Sequence, residues 1–312
     1  MHAPRLHTEE HARHPAGADV RTRILAGLPV EERRLRPAGV PTAVLEGGHG
    51  PPLVLLHGQG EFAAIWARVI PELVKTHRVI APDLPGHGAS NLPDDTLNGD
   101  RVLAWLGELI DRTCDQPPVL AGHLLGGAIA SRFAAIHSDR LSRLVLVDTL
   151  GLAWFRPTPG FALAMIGFVA RPTPRSQDRL FRRCMADLDR VRDEMDGRME
   201  LLEAYALERV RTPTAKAALR SLMPPLGIPP IPPADLARID VPTILIWGRD
   251  GLQVRLRIAE AASARYGWPL RVIDDARDDP ALEQPEAFLE ALRAGSLAAE
   301  PTPAATLEKR TS

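Results

Sequence analysis

The chain has 312 residues, 45% of them hydrophobic, and a formal net charge of −1, enough apolar material for one large α/β domain or a domain with an insertion. The near-zero charge excludes a basic field for nucleic acid or an anionic membrane, and the two cysteines, Cys114 and Cys184, supply neither a disulfide framework nor metal-ligand spacing. The longest apolar stretch, Phe161 to Ala170, falls far short of the ~20 residues that a membrane helix needs.

Residues 1–25 read as a flexible tail. Met1 to Asp19 is rich in His, Pro and charge and lacks an apolar signal-peptide core; its His2, His7, His11 and His14 read as a solvated run in which metal binding would be fortuitous. Arg33 to Glu46 predicts two strands around Ala38-Gly39, an edge hairpin. Pro52 to Leu56 is a short apolar run that ends at His57-Gly58-Gln59-Gly60, and Phe62 to Val74 has helical periodicity. Arg78 to Ala81 predicts a buried strand closed by Asp83-Leu84-Pro85-Gly86-His87-Gly88, and Arg101 to Cys114 a helix. Val119 to Gly122 predicts a strand that runs into Ala121-Gly122-His123-Leu124-Leu125-Gly126-Gly127 and then a helix through His137. This is the setting of a nucleophile elbow, Gly-x-Ser-x-Gly, with leucine at the serine position. Leu144 to Val147 is another strand, ending at Asp148.

From Gly151 to about Leu222 strand signal vanishes and helical runs rich in Arg, Met and Leu dominate; Met223 to Pro233 is a proline-dense return. Strands resume at Thr243 to Trp247 and Leu270 to Ile273, with helices at about Leu256 to Ala264 and Leu282 to Arg293. The alternation predicts a mostly parallel sheet with helices on both faces and a ligand site beyond the carboxyl ends of the strands. The expected organisation is a tail (1–25), a first core part (26–150), a helical cap (151–232), a second core part (233–295) and a flexible C-terminal tail (296–312).

These motifs, in this order, resemble the α/β-hydrolase superfamily in its capped branch of esterases, epoxide hydrolases, dehalogenases and C–C bond hydrolases; the likeness runs from about Arg33 to Arg293. It implies an eight-stranded, mostly parallel sheet flanked by helices, with a helical cap after the sixth strand. His57-Gly58-Gln59-Gly60 is similar to the family's oxyanion loop, so the resemblance implies backbone oxyanion donors at Gln59 and Leu125. It also locates three reacting positions. Leu124 stands at the nucleophile, Gly251 at the acid, three residues after the glycine of the Trp-Gly strand end, and Asp278 at the histidine, in Asp278-Asp279-Pro280-Ala281-Leu282-Glu283-Gln284-Pro285. All ten histidines lie at or before His137, so a shifted register hides no base. Without nucleophile, base and orienting acid, Ser-His-Asp chemistry has no parts to run on.

Asp278 is the candidate for other chemistry, as acid or base near an apolar floor; the competing reading is a solvated acidic run with Asp274, Asp275 and Asp279. Asp148 reads as a structural hydrogen-bond acceptor, with Asp250 similar and able to pair with Arg249 or Arg255. His123 reads as a satisfied core histidine behind the elbow, and His87 as part of a structural turn. His57, Gly58, Asp148, Trp154 and Asp250 are the expected pocket residues, with Phe155 and Phe161 opening the cap. Three functions stay open. One is non-hydrolytic acid/base chemistry on a small carbonyl compound, using Asp278 and the Gln59 and Leu125 amides. The second is a catalytically inactive protein that binds a small apolar ligand or acts as a scaffold, and the third is weak residual esterase activity. No metal or cofactor, no nucleic acid and no membrane are expected. The expected partner is a small apolar or carbonyl-containing ligand, a homodimer is left open, and the expected location is cytoplasmic.

Overall fold

A computed structural model describes residues 16–93 and 97–297. In chain order it contains α1 (Ala16–Leu25), β1 (Glu31–Leu35), β2 (Thr42–Gly47), β3 (Pro52–Leu56), α2 (Ile70–Leu73), β4 (Arg78–Pro82), α3 (Gly99–Thr113), β5 (Val119–His123), α4 (Leu124–His137) and β6 (Arg143–Val147). Five helices follow: α5 (Pro159–Ala170), α6 (Pro174–Cys184), α7 (Leu188–Glu194), α8 (Arg198–Val210) and α9 (Pro213–Leu222). The chain then returns through α10 (Pro233–Leu236), β7 (Thr243–Gly248), α11 (Leu256–Tyr266), β8 (Leu270–Ile273), α12 (Pro280–Glu283) and α13 (Pro285–Leu297).

The eight strands form one sheet in the order β1-β2-β4-β3-β5-β6-β7-β8. The first two pairings of that order, β1 with β2 and β2 with β4, are antiparallel, and every later pairing is parallel. The central strands read as unbroken apolar runs because both faces are covered. Side chains alternate across a strand, so each strand feeds two cores. Val54, Leu56, Leu120, Leu144, Leu146 and Leu245 enter a first core with α3, α4 and α11. Leu53, Leu55, Ala121, Val145, Val147, Ile244 and Ile246 enter a second core with α1, α2 and α13. The helical insertion after β6 touches both: Ala218, Leu222 and Leu226 join the first, and Met185, Leu188 and Val191 the second. Among the described residues no helix is long and apolar enough to cross a membrane.

The structure departs from the sequence reading in two places. The N-terminal segment is ordered from Ala16: Ile24 is buried in the second core, and the Arg21 guanidinium lies 2.5 Å from Glu32 and 2.9 Å from Asp83. Composition alone hid this, because one apolar residue and one buried ion pair anchor an otherwise polar helix to the core. Residues 1–15, with the four tail histidines, and 298–312 lie outside the described residues. The helix expected over Phe62 to Val74 is instead a 3₁₀ turn at Ala63–Trp66 and the short α2. Asp83 accepts the Ala63 N–H at 2.7 Å and so caps the start of the 3₁₀ turn, and Pro71 opens the next segment without an N–H to donate. The expected edge hairpin is present, with Ala38 and Gly39 both at positive φ.

Candidate functional site

Strand β5 ends at His123 and α4 starts at Leu124, so the turn between them has no loop residues to absorb the change of direction. Leu124 takes φ +45°, a left-handed conformation that costs a branched non-glycine residue roughly 1–3 kcal/mol. The elbow conformation survives without the serine. Its close backbone crossing is why the neighbours are glycine: a Cβ on Gly122 would lie 2.5 Å from the Gly126 carbonyl oxygen, and one on Gly126 2.6 Å from that of His57. The Leu124 side chain is 1% exposed and belongs to the first core, together with Leu222 and Leu226 of the insertion. Its carbonyl accepts from Leu150 N–H at 3.1 Å.

The Gly126 N–H donates to the His57 carbonyl at 3.1 Å, tying the first turn of α4 to the loop after β3, where the expected oxyanion amides of Leu125 and Gln59 reside. His57 is fully buried and serves that loop. Its Nδ1–H donates to the Gly58 carbonyl at 2.7 Å, and Nε2 accepts the Leu84 N–H at 2.9 Å. Burial, reinforced by nearby His87, holds the imidazole neutral, well below its usual pKa. The Gly58 N–H donates to Glu61 Oε2 at 2.6 Å. The Gln59 side chain donates to Gln253 Oε1 at 2.8 Å, while its own Oε1 has no partner.

Gly251 and Asp278 are neighbours in space. A Cβ on Gly251 would sit 3.4 Å from Asp278 Oδ1, which is how an acid and the group it orients would meet. Asp278 is completely buried, contrary to a solvated acidic run. Oδ1 accepts from Leu252 N–H at 3.0 Å and Gln253 N–H at 2.9 Å, and Oδ2 has no partner. Burial pushes its pKa up to about 7 against the pull of those two amides. The run divides: Asp274 and Asp275 are exposed, with Asp274 paired to Arg249, and Asp279 is buried. Asp148, also buried, receives the Gly248 N–H on both oxygens at 3.2 and 3.4 Å, and burial raises its pKa well above the carboxylate range.

Two expected pocket residues stand elsewhere. Asp250 points to solvent, and its expected pairing with Arg249 is taken by Asp274. Trp154 is 55% exposed. Phe155 packs on the rim of the first core, and Phe161 enters a small separate cluster with Ala164, Phe168 and Leu180.

One cluster had no counterpart in the sequence reading. His123 Nδ1 lies 3.1 Å from Glu61 Oε2, and its Nε2 donates to the Asp278 carbonyl at 2.6 Å, with Asp279 Oδ1 at 3.9 Å. Burial pulls the imidazole down, but adjacent Glu61 wins and pushes its pKa up to about 10. Asp279 Oδ1 has no hydrogen-bond partner, and burial followed by the Glu61 charge drives that carboxyl well above its usual range. Glu61 and His123 are 62 residues apart, one in the loop after β3 and one at the end of β5, so no linear spacing announces them.

The profile of the "Alpha/beta hydrolase family" matches residues 53–291. The chain is 36% identical over 126 residues to 2-hydroxymuconate semialdehyde hydrolase of Pseudomonas sp. (strain CF600), covering 39% of this chain and 44% of that protein. It is 33% identical over 178 residues to pimeloyl-[acyl-carrier protein] methyl ester esterase of Chromobacterium violaceum, covering 56% and 60%. The matches thus span less than two thirds of these curated relatives. Among solved structures, carboxylesterase CesB of Bacillus subtilis aligns with TM-score 0.77 at 21% identity, over 91% of this chain and 98% of that one. A 2-hydroxy-6-oxo-6-phenylhexa-2,4-dienoate hydrolase from Rhodococcus sp. strain RHA1 aligns with TM-score 0.74 at 23% identity, over 86% and 99%. At such identities these structures speak for the fold alone. The profile covers well over half of the chain, and the sheet order and elbow geometry agree with it: the protein belongs to the alpha/beta hydrolase family.

Proposed function

We propose that this member of the family does not hydrolyse by a serine mechanism, and that its elbow is a packed joint between the sheet and the helical insertion. The observation that carries this reading is Leu124: it keeps the left-handed elbow conformation, offers no lone pair, and is buried in the core shared with Leu222 and Leu226. Gly251 and Asp278 at the other two reacting positions support it, since neither can act as a histidine base. Leu124 is 1% exposed, so a small apolar or carbonyl-containing ligand reaches it only when the core packed around it opens. Binding without cleavage is the activity expected of such a site.

A fluorophosphonate probe and an activated ester test this reading. The wild-type chain should show neither labelling nor a burst, and the triple variant L124S/G251D/D278H should be labelled. Stoichiometric labelling of the wild-type chain would overturn the proposal.

A second reading rests on the unpartnered Oδ2 of buried Asp278, a carboxyl oxygen free to exchange a proton with a bound carbonyl compound. The named substrates of the curated relatives, a semialdehyde and a methyl ester, supply probes of that class. Recovery of 2-hydroxymuconate semialdehyde unchanged after prolonged incubation supports binding alone. Conversion by the wild-type chain that is lost in Asp278→Asn would replace the first reading with this one.

A further inference from the structure

On the other side of the elbow from Leu124, three segments that are remote in sequence converge: Glu61 from the loop after β3, His123 from the end of β5, and Asp279 from the loop after β8. One donor atom from each lies within 4.8 Å of the other two. Three evenly spaced ligands at about 2.1 Å from one ion are at most roughly 3.6 Å apart, so closing this set needs each side chain to shift by no more than about 0.7 Å.

Three features make this more than a cluster of acids. Asp279 is almost wholly buried, and its Oδ1, 3.9 Å from the Nε2 edge of the His123 ring, has no hydrogen-bond partner, a desolvated oxygen that ordinarily demands one. His123 is oriented as metal-bound histidines are. A carbonyl only accepts, so Nε2, 2.6 Å from the Asp278 carbonyl, carries a proton; that is the outer-shell bond that fixes ring and tautomer when the other nitrogen binds a metal. Nδ1 then faces Glu61. Finally, a void of ≈ 10 Å³ borders His123 and Asp279, walled by Trp66, Val147, Pro280 and Leu282, on the scale of one water that could complete a coordination shell.

We propose that Glu61, His123 and Asp279 form a binding site for a divalent first-row transition ion, tying the loops after β3 and β8 to the end of β5. One imidazole and two carboxylates suit zinc, iron or manganese and disfavour calcium and magnesium, which prefer oxygen-only shells.

Zinc is the probe, in full-length protein with His2, His7, His11 and His14 changed to Ala so that the tail cannot bind it. Metal content after dialysis against zinc should be about one per chain, and saturating zinc should raise Tm by roughly 5 °C. Asp279→Asn and Glu61→Gln, with circular dichroism unchanged, should each weaken zinc affinity at least tenfold and abolish the Tm shift. Cobalt(II) added to the protein without substitutions at the three ligands should give a visible absorption band that zinc removes, a readout that does not depend on the variants folding. No zinc retained and no cobalt band, or zinc affinity unchanged in both variants, would overturn the assignment.

Discussion

His123 and Leu124 are consecutive, as are Asp278 and Asp279, yet each pair is divided between two environments. On one side, Leu124 joins the apolar first core and Asp278 turns its carboxyl onto the amides of Leu252 and Gln253. On the other, His123 and Asp279 meet Glu61 beside Trp66 of the second core. The first division falls at the junction of β5 and α4, where Leu124 at φ +45° turns the chain, and the second in the loop between β8 and α12. Leu124 is apolar and Asp278 is bound by amides, while His123 and Asp279, one residue away, gather with Glu61.

The comparison can be broken by measurement. The second-core side is held partly by ions. Arg21, ion-paired with Asp83 and Glu32 and flanked by the rings of Phe62 and Tyr205, should be its most sensitive point. Arg21→Met is expected to cost about 3–5 kcal/mol in urea unfolding because it strands a buried carboxylate. A cost below about 1 kcal/mol would show that α1 is not part of the cooperative unit. Gly122, where the two sides join, comes next. Gly122→Ala forces a methyl to within 2.5 Å of the Gly126 carbonyl oxygen and should cost up to about 3 kcal/mol, with tryptophans of both cores, Trp247 and Trp66, losing structure in one fluorescence transition.

The smallest effect concerns Leu124 itself. Leu124→Ala keeps a Cβ at φ +45°, whereas Leu124→Gly removes it. If backbone strain is stored there, the glycine variant should equal or exceed the alanine variant in stability, by up to about 1 kcal/mol, despite having one carbon fewer. A glycine variant clearly less stable than the alanine variant would mean that the surrounding core has relaxed the strain.

Much of the fold was legible in the residues. Unbroken apolar runs such as Leu53–Leu56 and Leu144–Val147 are strands buried on both faces, and the glycines around Leu124 signal a strand and helix crossing at backbone contact. What failed were inferences about burial of polar residues. Asp274 and Asp279 look alike in the sequence, but one is exposed and paired with Arg249 while the other is buried beside His123 with its Oδ1 lacking a hydrogen bond. Trp154 and Asp250 sit at expected pocket positions and face solvent.

Hydrophobic period and glycine placement are local and survive in one dimension, so the sequence by itself determined the α/β architecture and the tight strand-to-helix turn at Leu124. The meeting of Glu61, His123 and Asp279 depends on three loops separated by most of the core, and the burial of Asp278 depends on the insertion and the loop after β7 closing over it. Contacts between residues so far apart in sequence arise only when the sheet brings strand ends side by side. That step, which the residue types do not encode individually, decided where charge is stored in this protein.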